Sequence, residues 1–224
     1  MIFYYIRHGE PTYDPDDLTA RGRKQAEEVA EHLARIGVDQ IFSSTSNRAI
    51  QTALPTGTRL NKEITYLDFA SERHVWENLT IDTPSGRDWM FHSAAMKELF
   101  HTKELVGLGL RWFDHPRFAD PRFENEMNRI QEESDRFFAS LGYRRRETGK
   151  YEVVRDSGER IALFAHQGFG FAFLSLLLGI PYPQFCTHFE LGHAGITTIE
   201  FKNENGFSYP KILSLSNDGH LTKN

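Results

Sequence analysis

Apolar and polar positions follow two periods along this chain, one typical of buried strands and one typical of helices. The first six residues, Met1 to Ile6, are all apolar or aromatic, which predicts a strand buried on both faces. Apolar residues then recur at helical spacing, as Ala26, Val29, Ala30, Leu33 and Ala34. Thr19 is placed to cap this helix and Gly37 to end it. A strand followed by a helix is therefore predicted for this part of the chain.

The same alternation continues through most of the sequence. Further strands are predicted over 39–42, 63–67, 151–155, 160–165, 196–201 and 211–215, and further helices over 47–53, 124–141 and 169–178. The hydroxyl residues 43–46 are expected to cap the helix over 47–53, and Pro55 and Gly57 to end it. The turn residues 156–159 predict a hairpin between the strands on either side. The second of these strands, 160–165, is apolar enough to be central in a sheet.

Residues 82–125 interrupt this pattern, because Gly, Pro, His and aromatic residues crowd together there. All three tryptophans, Trp76, Trp89 and Trp112, lie in or beside this segment. We interpret it as an insertion and expect most of its aromatic side chains to form a small satellite core. The rest predicts an α/β fold, a three-layer α/β/α sandwich with a mostly parallel central sheet and helices on both faces. Residues 1–224 are expected to form a single domain.

Composition and charge narrow the classes of function. The net charge of −5 and the pI near 6.1 argue against nucleic acid as a partner, since binding to a phosphate backbone requires clustered Lys and Arg. The single cysteine, Cys186, has no partner for an internal disulfide and is interpreted as a buried filler. No charged leader precedes the first strand and no apolar run approaches the ~20 residues of a membrane span. We expect a cytoplasmic protein without a membrane partner; its oligomeric state is left open.

Reactive side chains follow four of the predicted strands. Arg7 and His8 follow the first strand, Arg48 follows the second, Glu72 the third and His166 the most apolar one. The carboxyl ends of parallel strands meet at one edge of a sheet, so these groups are expected at one crevice. Guanidinium forks fit phosphate oxygens, an imidazole can accept a phosphoryl group, and a carboxylic acid can protonate a leaving alkoxide. The set indicates phosphoryl transfer.

These residues, in this order, resemble the histidine phosphatase superfamily and its phosphoglycerate mutase-like fold. The matching segments are Arg7-His8-Gly9-Glu10, 18–26, 42–53, Glu72-Arg73-His74 and Ala165-His166-Gln167-Gly168. The resemblance implies that His8 is the phosphorylated nucleophile, that Arg7, Arg48 and His166 hold the phosphate, and that Glu72 is the proton donor. It implies no metal and no cofactor. We also expect Thr12, Tyr13, Arg73 and Gln167, which lie in or beside these motifs, to contact the substrate.

Departures from the family pattern favour its phosphatase branch. The loop after the first motif, Pro11 to Asp17, lacks the asparagine and the longer glycine-containing segment that are common there, which affects one expected phosphate contact. The preference for the phosphatase branch comes from Glu72-Arg73-His74, which is not followed by the Tyr-Gly usual in mutases. The insertion contains no equivalent of the paired arginines with which mutases grip a second acidic group. The expected activity is a histidine acid-type phosphatase that releases inorganic phosphate from a small phosphorylated metabolite. Part of the segment 82–125 is expected to cap the active site and select the other end of the substrate.

Some alternatives remain open at this stage. Glu77 lies five residues after Glu72 and is the second candidate for the proton donor. His188 and His193 lack the i, i+4 spacing of a zinc helix, and we interpret them as surface residues or as residues behind the site. A phosphoglycerate-type mutase and a non-catalytic module that binds a phosphorylated ligand are the alternative functions.

Overall fold

The computed structural model describes residues 1–222, which form thirteen strands and eight α-helices. The strands are β1 (Ile2–Arg7), β2 (Pro11–Tyr13), β3 (Asp16–Leu18), β4 (Gln40–Ser44), β5 (Ile64–Leu67), β6 (Thr80–Thr83), β7 (Gly86–Trp89), β8 (Tyr143–Glu147), β9 (Lys150–Val153), β10 (Arg160–Ala165), β11 (Ile196–Glu200), β12 (Phe207–Ser208) and β13 (Lys211–Asn217). The α-helices are α1 (Ala20–Ile36), α2 (Asn47–Leu60), α3 (Glu72–Asn78), α4 (Ala94–Phe100), α5 (Lys103–Leu108), α6 (Arg122–Ser140), α7 (Gln167–Leu178) and α8 (Tyr182–His188).

A six-stranded sheet forms the middle layer, in the order β13-β11-β1-β10-β4-β5. The strands β1, β10, β4 and β5 pair in parallel, β11 runs antiparallel to β1, and β13 at the edge pairs antiparallel with β11. The prediction of a central, mostly parallel sheet is confirmed, and β10 lies between β1 and β4 as its apolar sequence indicated. The carboxyl ends of four parallel strands therefore share one edge of the sheet.

Both faces of the sheet are covered, because successive side chains of a strand point to opposite faces. Phe3 and Tyr5 of β1 join one cluster, which includes side chains of α6 and α7. Tyr4 and Ile6 join a second cluster, which includes side chains of α1 and α2. This arrangement is the predicted three-layer sandwich and explains why the first strand has no polar face.

Of the two helices on the second face, α1 begins and ends where its local sequence predicts, whereas α2 does not. Thr19 caps α1 by accepting from the backbone N–H of Gly22 at 3.0 Å, and Gly37 ends it with φ +79°, as predicted. Helix α2, in contrast, does not end at Pro55 but continues to Leu60. Its inner face is buried against α1, and this packing compensates for the hydrogen bond that a proline removes. No hydroxyl side chain caps α2 either; the N–H of Asn47 instead donates to Asp16 at 2.8 Å.

The segment 82–125 packs differently from the prediction. It contains most of the β6–β7 hairpin, α4, α5 and short 3₁₀ turns. Trp112 is fully buried and stacks on Tyr182 at 5.5 Å between ring centroids, and Phe100 is equally buried. These side chains belong to the same cluster as Phe3 and Tyr5 of the central sheet. The expected satellite core is therefore wrong: the aromatic residues of the segment extend the main core.

The hairpin predicted across 156–159 is also wrong. Strand β9 pairs with β8 in a separate three-stranded sheet, whereas β10 pairs on both sides with parallel strands of the central sheet. Because both edges of β10 are occupied, it cannot accept an antiparallel neighbour. The actual turn is at Thr148 and Gly149, where Gly149 has φ +65°. Among residues 1–222, no helix has the length and apolar character needed to cross a membrane.

Candidate active site

His8 lies directly after β1 and is almost fully buried. Its Nδ1 is 2.7 Å from the carbonyl oxygen of Gly9, and we assign the proton to Nδ1 because a carbonyl can only accept. The lone pair is then on Nε2, which accepts from Nε of Arg48 at 3.2 Å. Burial, assisted by the charge of Arg48, lowers the pKa of His8 well below its usual value. The ring is therefore neutral, and its Nε2 lone pair, which lies beside a guanidinium, is chemically able to act as a nucleophile.

Arg7, the last residue of β1, is held on two sides. Its Nη1 donates to the carbonyl oxygen of Leu191 at 2.6 Å, and its Nη2 lies 2.9 Å from Nε2 of His193. Its Nε is buried and has no hydrogen-bond partner within residues 1–222. A buried donor without a partner is costly unless a ligand satisfies it, so this Nε–H is suited to donate to a bound anion.

Arg48 stands in the first turn of α2, and its Nε donates to Nε2 of His8. Its Nη1 donates to Asp16 at 2.8 Å, and its guanidinium lies 5.5 Å from the centre of the Tyr13 ring. Asp16 also accepts from the backbone N–H of Asn47. The β2–β3 hairpin, which carries Tyr13 and Asp16, therefore fixes the direction of this guanidinium.

His166 follows β10 and is completely buried. Its Nε2 lies 2.7 Å from the hydroxyl of Ser44, and its carbonyl oxygen accepts from the hydroxyl of Tyr5 at 2.5 Å. Its ring centroid is 5.2 Å from that of His8. Nδ1 has no hydrogen-bond partner in the described part of the chain, and burial lowers the pKa of the ring well below its usual value. His166 is thus a neutral ring with one nitrogen available to a ligand.

Glu72 is the first residue of α3, yet its carboxylate contacts the start of α7. It accepts from the N–H of Gly168 at 2.9 Å and from that of Phe169 at 3.4 Å, and it lies 3.8 Å from Nδ1 of His166. Burial raises the pKa of Glu72, although Arg48 and the two backbone donors oppose the shift. The raised pKa favours the protonated form that a general acid needs, while the opposing contacts favour the carboxylate that a general base needs.

The loop that carries His8 is pressed against α1 through two glycines. A Cβ atom on Gly9 would lie 2.6 Å from the carbonyl oxygen of Gly22, and one on Gly22 would lie 2.1 Å from the carbonyl oxygen of Glu10. Both distances are far below van der Waals contact. Glycine at these positions therefore permits a backbone approach that fixes the loop after β1.

Residues 3–107 match the family model described as the histidine phosphatase superfamily, branch 1. The matched part of the chain, which carries Arg7, His8, Arg48 and Glu72, is therefore similar to that superfamily. A sequence search among curated proteins finds no significant match.

Solved structures of histidine phosphatases share the fold at low identity. The phosphoserine phosphatase of Entamoeba histolytica, in complex with 3-phosphoglyceric acid, gives a TM-score of 0.64 at 20% identity over 99% of both chains. A putative alpha-ribazole-5'-P phosphatase from Escherichia coli gives 0.61 at 16% identity, over 97% of this chain and 96% of the other. A mycobacterial glucosyl-3-phosphoglycerate phosphatase in complex with VO3 gives 0.52 at 18% identity, over 96% and 98%. At these identities the likeness shows the fold.

A cavity of about 970 Å³ opens over the reactive groups, and Arg7, His8, Arg48 and Glu72 line it. Three of the further residues predicted to contact substrate, Tyr13, Arg73 and Gln167, also line it.

Two other candidates lie elsewhere. Thr12 is not part of the cavity wall, because its hydroxyl donates to the carbonyl oxygen of Pro15 at 2.9 Å within its own hairpin. Glu77 is also outside the wall, with its side chain 55% exposed and 3.8 Å from Arg73. Glu72, in contrast, is the carboxyl group next to His166.

Several residues of the site gave no clear signal in the sequence. His193 supports Arg7, whereas His188 is exposed beside His101. Asp16 fixes Arg48, and Ser44 meets His166; the hydroxyl loop had indicated only a helix cap. These contacts join segments far apart in the chain, so spacing alone could not reveal them.

Proposed function

We propose that this chain is a metal-independent phosphomonoester hydrolase that acts through a phosphohistidine on a small phosphorylated metabolite. The observation that carries the proposal is the Nε2 lone pair of His8. It is fixed by the Nδ1 contact to Gly9 and lies beside Arg48. Arg7 Nε and His166 Nδ1, both buried and without a partner among the described residues, are donors for the same anion.

In the first half of the reaction, Nε2 of His8 attacks phosphorus and the bond from phosphorus to the ester oxygen breaks. Glu72 gives its proton to the departing alkoxide, which leaves as the alcohol. Arg7, Arg48 and His166 hold the phosphoryl oxygens, whose charge must be stabilised during transfer. The Nε2–phosphorus bond stores the phosphoryl group on the enzyme.

In the second half, the ionised Glu72 takes a proton from water as the water oxygen attacks phosphorus. The bond from Nε2 to phosphorus breaks, so His8 returns as a neutral ring and inorganic phosphate leaves. The sum is phosphomonoester plus water to alcohol plus hydrogen phosphate. The raised pKa of Glu72 supports both halves, because the group must alternate between acid and base.

The comparisons support hydrolysis of small phosphate esters. Solved structures that share the fold include a phosphoserine phosphatase and a glucosyl-3-phosphoglycerate phosphatase. The segment 82–125 contributes Asp88, Trp89 and His92 to the cavity wall. This placement supports a role for the segment as a cap that selects the non-phosphate end of the substrate.

The test is hydrolysis of p-nitrophenyl phosphate in the presence of EDTA, together with trapping of a phosphoenzyme from a radiolabelled phosphate ester. We expect phosphate release in chelator and a protein-bound phosphate that is labile in acid and stable in base. His8→Ala should abolish both, while His188→Ala, an exposed histidine far from the cavity, should retain both. Turnover by His8→Ala comparable to that of the unchanged protein would contradict the proposal.

A second arm separates the hydrolase from a mutase. Incubation with 3-phosphoglycerate should yield inorganic phosphate or no reaction. Interconversion of phosphoglycerates without net release of phosphate would instead assign the chain to the mutases.

A further inference from the structure

The cavity wall beyond the phosphate-binding groups is aromatic and acidic. The aromatic side chains are Trp76 and Trp89, and the carboxylates are Asp68 and Asp88. Asp88 accepts from the backbone N–H of Trp89 at 2.7 Å and lies 2.9 Å from Nδ1 of His92, so this carboxylate is fixed at the wall. Beside the two carboxylates, this part of the wall carries one guanidinium, that of Arg73.

The leaving group of the substrate is directed to this wall. A Cβ atom on Gly168 would lie 2.7 Å from Oε1 of Glu72 and 2.5 Å from Cη2 of Trp89, so the carboxyl group and the indole both touch the start of α7. The proposed proton donor must lie at the ester oxygen. The group attached to that oxygen therefore extends past Trp89.

Two indoles form a corner at this place. The rings of Trp76 and Trp89 are 5.0 Å apart at an angle of 80°, and Trp89 is backed by Phe91 at 5.3 Å in a stacked arrangement. Trp76 retains 36% of its surface exposed. Tryptophan faces attract ammonium ions more strongly than other aromatic rings, and several rings around one cation are the usual way of binding a quaternary ammonium.

The charged side chains of the cavity wall also favour a cation at this place. Arg7 and Arg48 balance the two negative charges of a bound phosphate. The third guanidinium of the wall, Arg73, has a side chain that is 75% exposed and lies 3.8 Å from Glu77. Asp68 lies 3.3 Å from Nε2 of His74, and Asp88 lies 2.9 Å from Nδ1 of His92. These two carboxylates outnumber the single guanidinium on this side of the cavity, which favours a cation over an anion.

We propose that the substrate is the phosphate monoester of an amino alcohol, with its ammonium group between Trp76, Trp89 and Asp88. This inference rests on the proposed phosphatase function. The products are the amino alcohol and inorganic phosphate, through the same two transfers by way of His8 and Glu72. A quaternary ammonium suits the indole corner through cation–π attraction, and a primary ammonium can in addition donate to the carboxylate.

The test uses substrates that differ only in charge. Phosphocholine and its neutral carbon isostere, 3,3-dimethylbutyl phosphate, have the same shape and the same leaving-group position. We expect kcat/KM to be on the order of 10-fold higher for phosphocholine. 3-Phosphoglycerate should be poorer than either. Equal or lower kcat/KM for phosphocholine than for the isostere would overturn the inference.

Variants of the wall residues test where the ammonium group binds. Trp76→Leu and Asp88→Asn should each lower the ratio of the two kcat/KM values by about 3-fold or more, and a ratio does not depend on the fraction of folded protein. Asp82→Asn, an exposed aspartate in the same hairpin but outside the cavity wall, should leave the ratio unchanged. An unchanged ratio in both wall variants would contradict the placement of the ammonium.

Binding to His8→Ala separates this inference from the proposed function. Calorimetry with phosphocholine and the isostere measures preference without turnover. If no phosphate ester, including p-nitrophenyl phosphate, is hydrolysed but phosphocholine binds more tightly, the phosphatase proposal fails and the ammonium site stands. If aryl phosphate is hydrolysed and phosphocholine shows no preference in either assay, the phosphatase stands and the ammonium site fails.

Discussion

Replacement of Glu72 by glutamine removes the proposed proton donor while changing the shape of the site little. In the unchanged protein the Glu72 carboxylate accepts from the N–H of Gly168 at 2.9 Å and from that of Phe169 at 3.4 Å. The amide oxygen of glutamine can keep the shorter hydrogen bond, and only the longer one is weakened. Burial raises the pKa of Glu72, which means that folding disfavours its ionised form. Removal of the charge therefore costs no stability at neutral pH, and we expect the variant to fold.

The kinetic effect should depend on the leaving group. An alkoxide must be protonated as it departs, and loss of a positioned acid slows such steps by about 10²- to 10⁴-fold, or about 3 to 5 kcal/mol in activation free energy. A p-nitrophenolate departs without a proton, so its transfer to His8 should slow by less than about 10-fold. The second half of the reaction, which needs Glu72 as a base, should slow for both substrates.

The assay must separate the two halves. Rapid mixing with excess enzyme gives the rate at which the phosphoenzyme forms, measured with p-nitrophenyl phosphate and with an alkyl phosphate. With excess p-nitrophenyl phosphate, Glu72→Gln should show a burst of nitrophenolate followed by slow turnover. Glu77→Gln, an exposed glutamate outside the cavity, is the matched control. Equal slowing of phosphoenzyme formation from the two substrates, or a leaving-group effect in Glu77→Gln instead, would refute the role of Glu72.

Three further predictions follow from other parts of the structure. Arg48→Lys should weaken vanadate inhibition by about 10-fold or more, because an ammonium cannot donate to Asp16 and to an oxyanion through one planar fork; unchanged inhibition would remove Arg48 from the phosphate site. Burial, assisted by Arg7, lowers the pKa of His193 to about 4, so the folded protein holds this ring in its neutral form. The resulting contribution to the free energy of unfolding is complete above pH 6.5 and is lost as the pH falls toward 4, because the unfolded chain binds the proton first. The free energy of unfolding, measured by urea titration, should therefore fall less between pH 7 and pH 5 for His193→Gln than for the unchanged protein. The expected difference is about 1 kcal/mol after allowance for partial exposure, and equal losses would contradict this. Trp112→Ala should lower the unfolding free energy by about 3 to 5 kcal/mol, since the indole is fully buried in the main core, and a loss below about 1 kcal/mol would restore the satellite-core interpretation.

The sequence predicted those parts of the fold that local chemistry determines. The apolar run before Arg7 had to be central, and β1 and β10 are parallel neighbours. Once four strands are parallel, the residues after them meet at one edge, so the proximity of His8, Arg48, Glu72 and His166 followed from topology. The resemblance to a family then supplied roles that spacing alone does not assign.

The parts that failed depend on contacts between distant segments. Nothing near Pro55 in sequence indicates that α1 packs against α2 strongly enough to carry the helix past it. Residues 156–159 have the composition of a turn, but both edges of β10 are occupied by β1 and β4, so a hairpin with the preceding strand cannot form. Local sequence likewise gives no sign that the Thr12 hydroxyl donates to the carbonyl oxygen of Pro15 within its own hairpin.

The contact between Gly9 and Gly22 has a consequence for how this protein tolerates mutation. Gly22 lies on a helix that gives the cavity no side chain, yet even one methyl group there would meet the backbone of Glu10, two residues after His8, the proposed nucleophile. Helix α1 therefore acts as a rigid template for the loop after β1. Inactivating substitutions should thus be found on its inner surface, among residues that never meet the substrate.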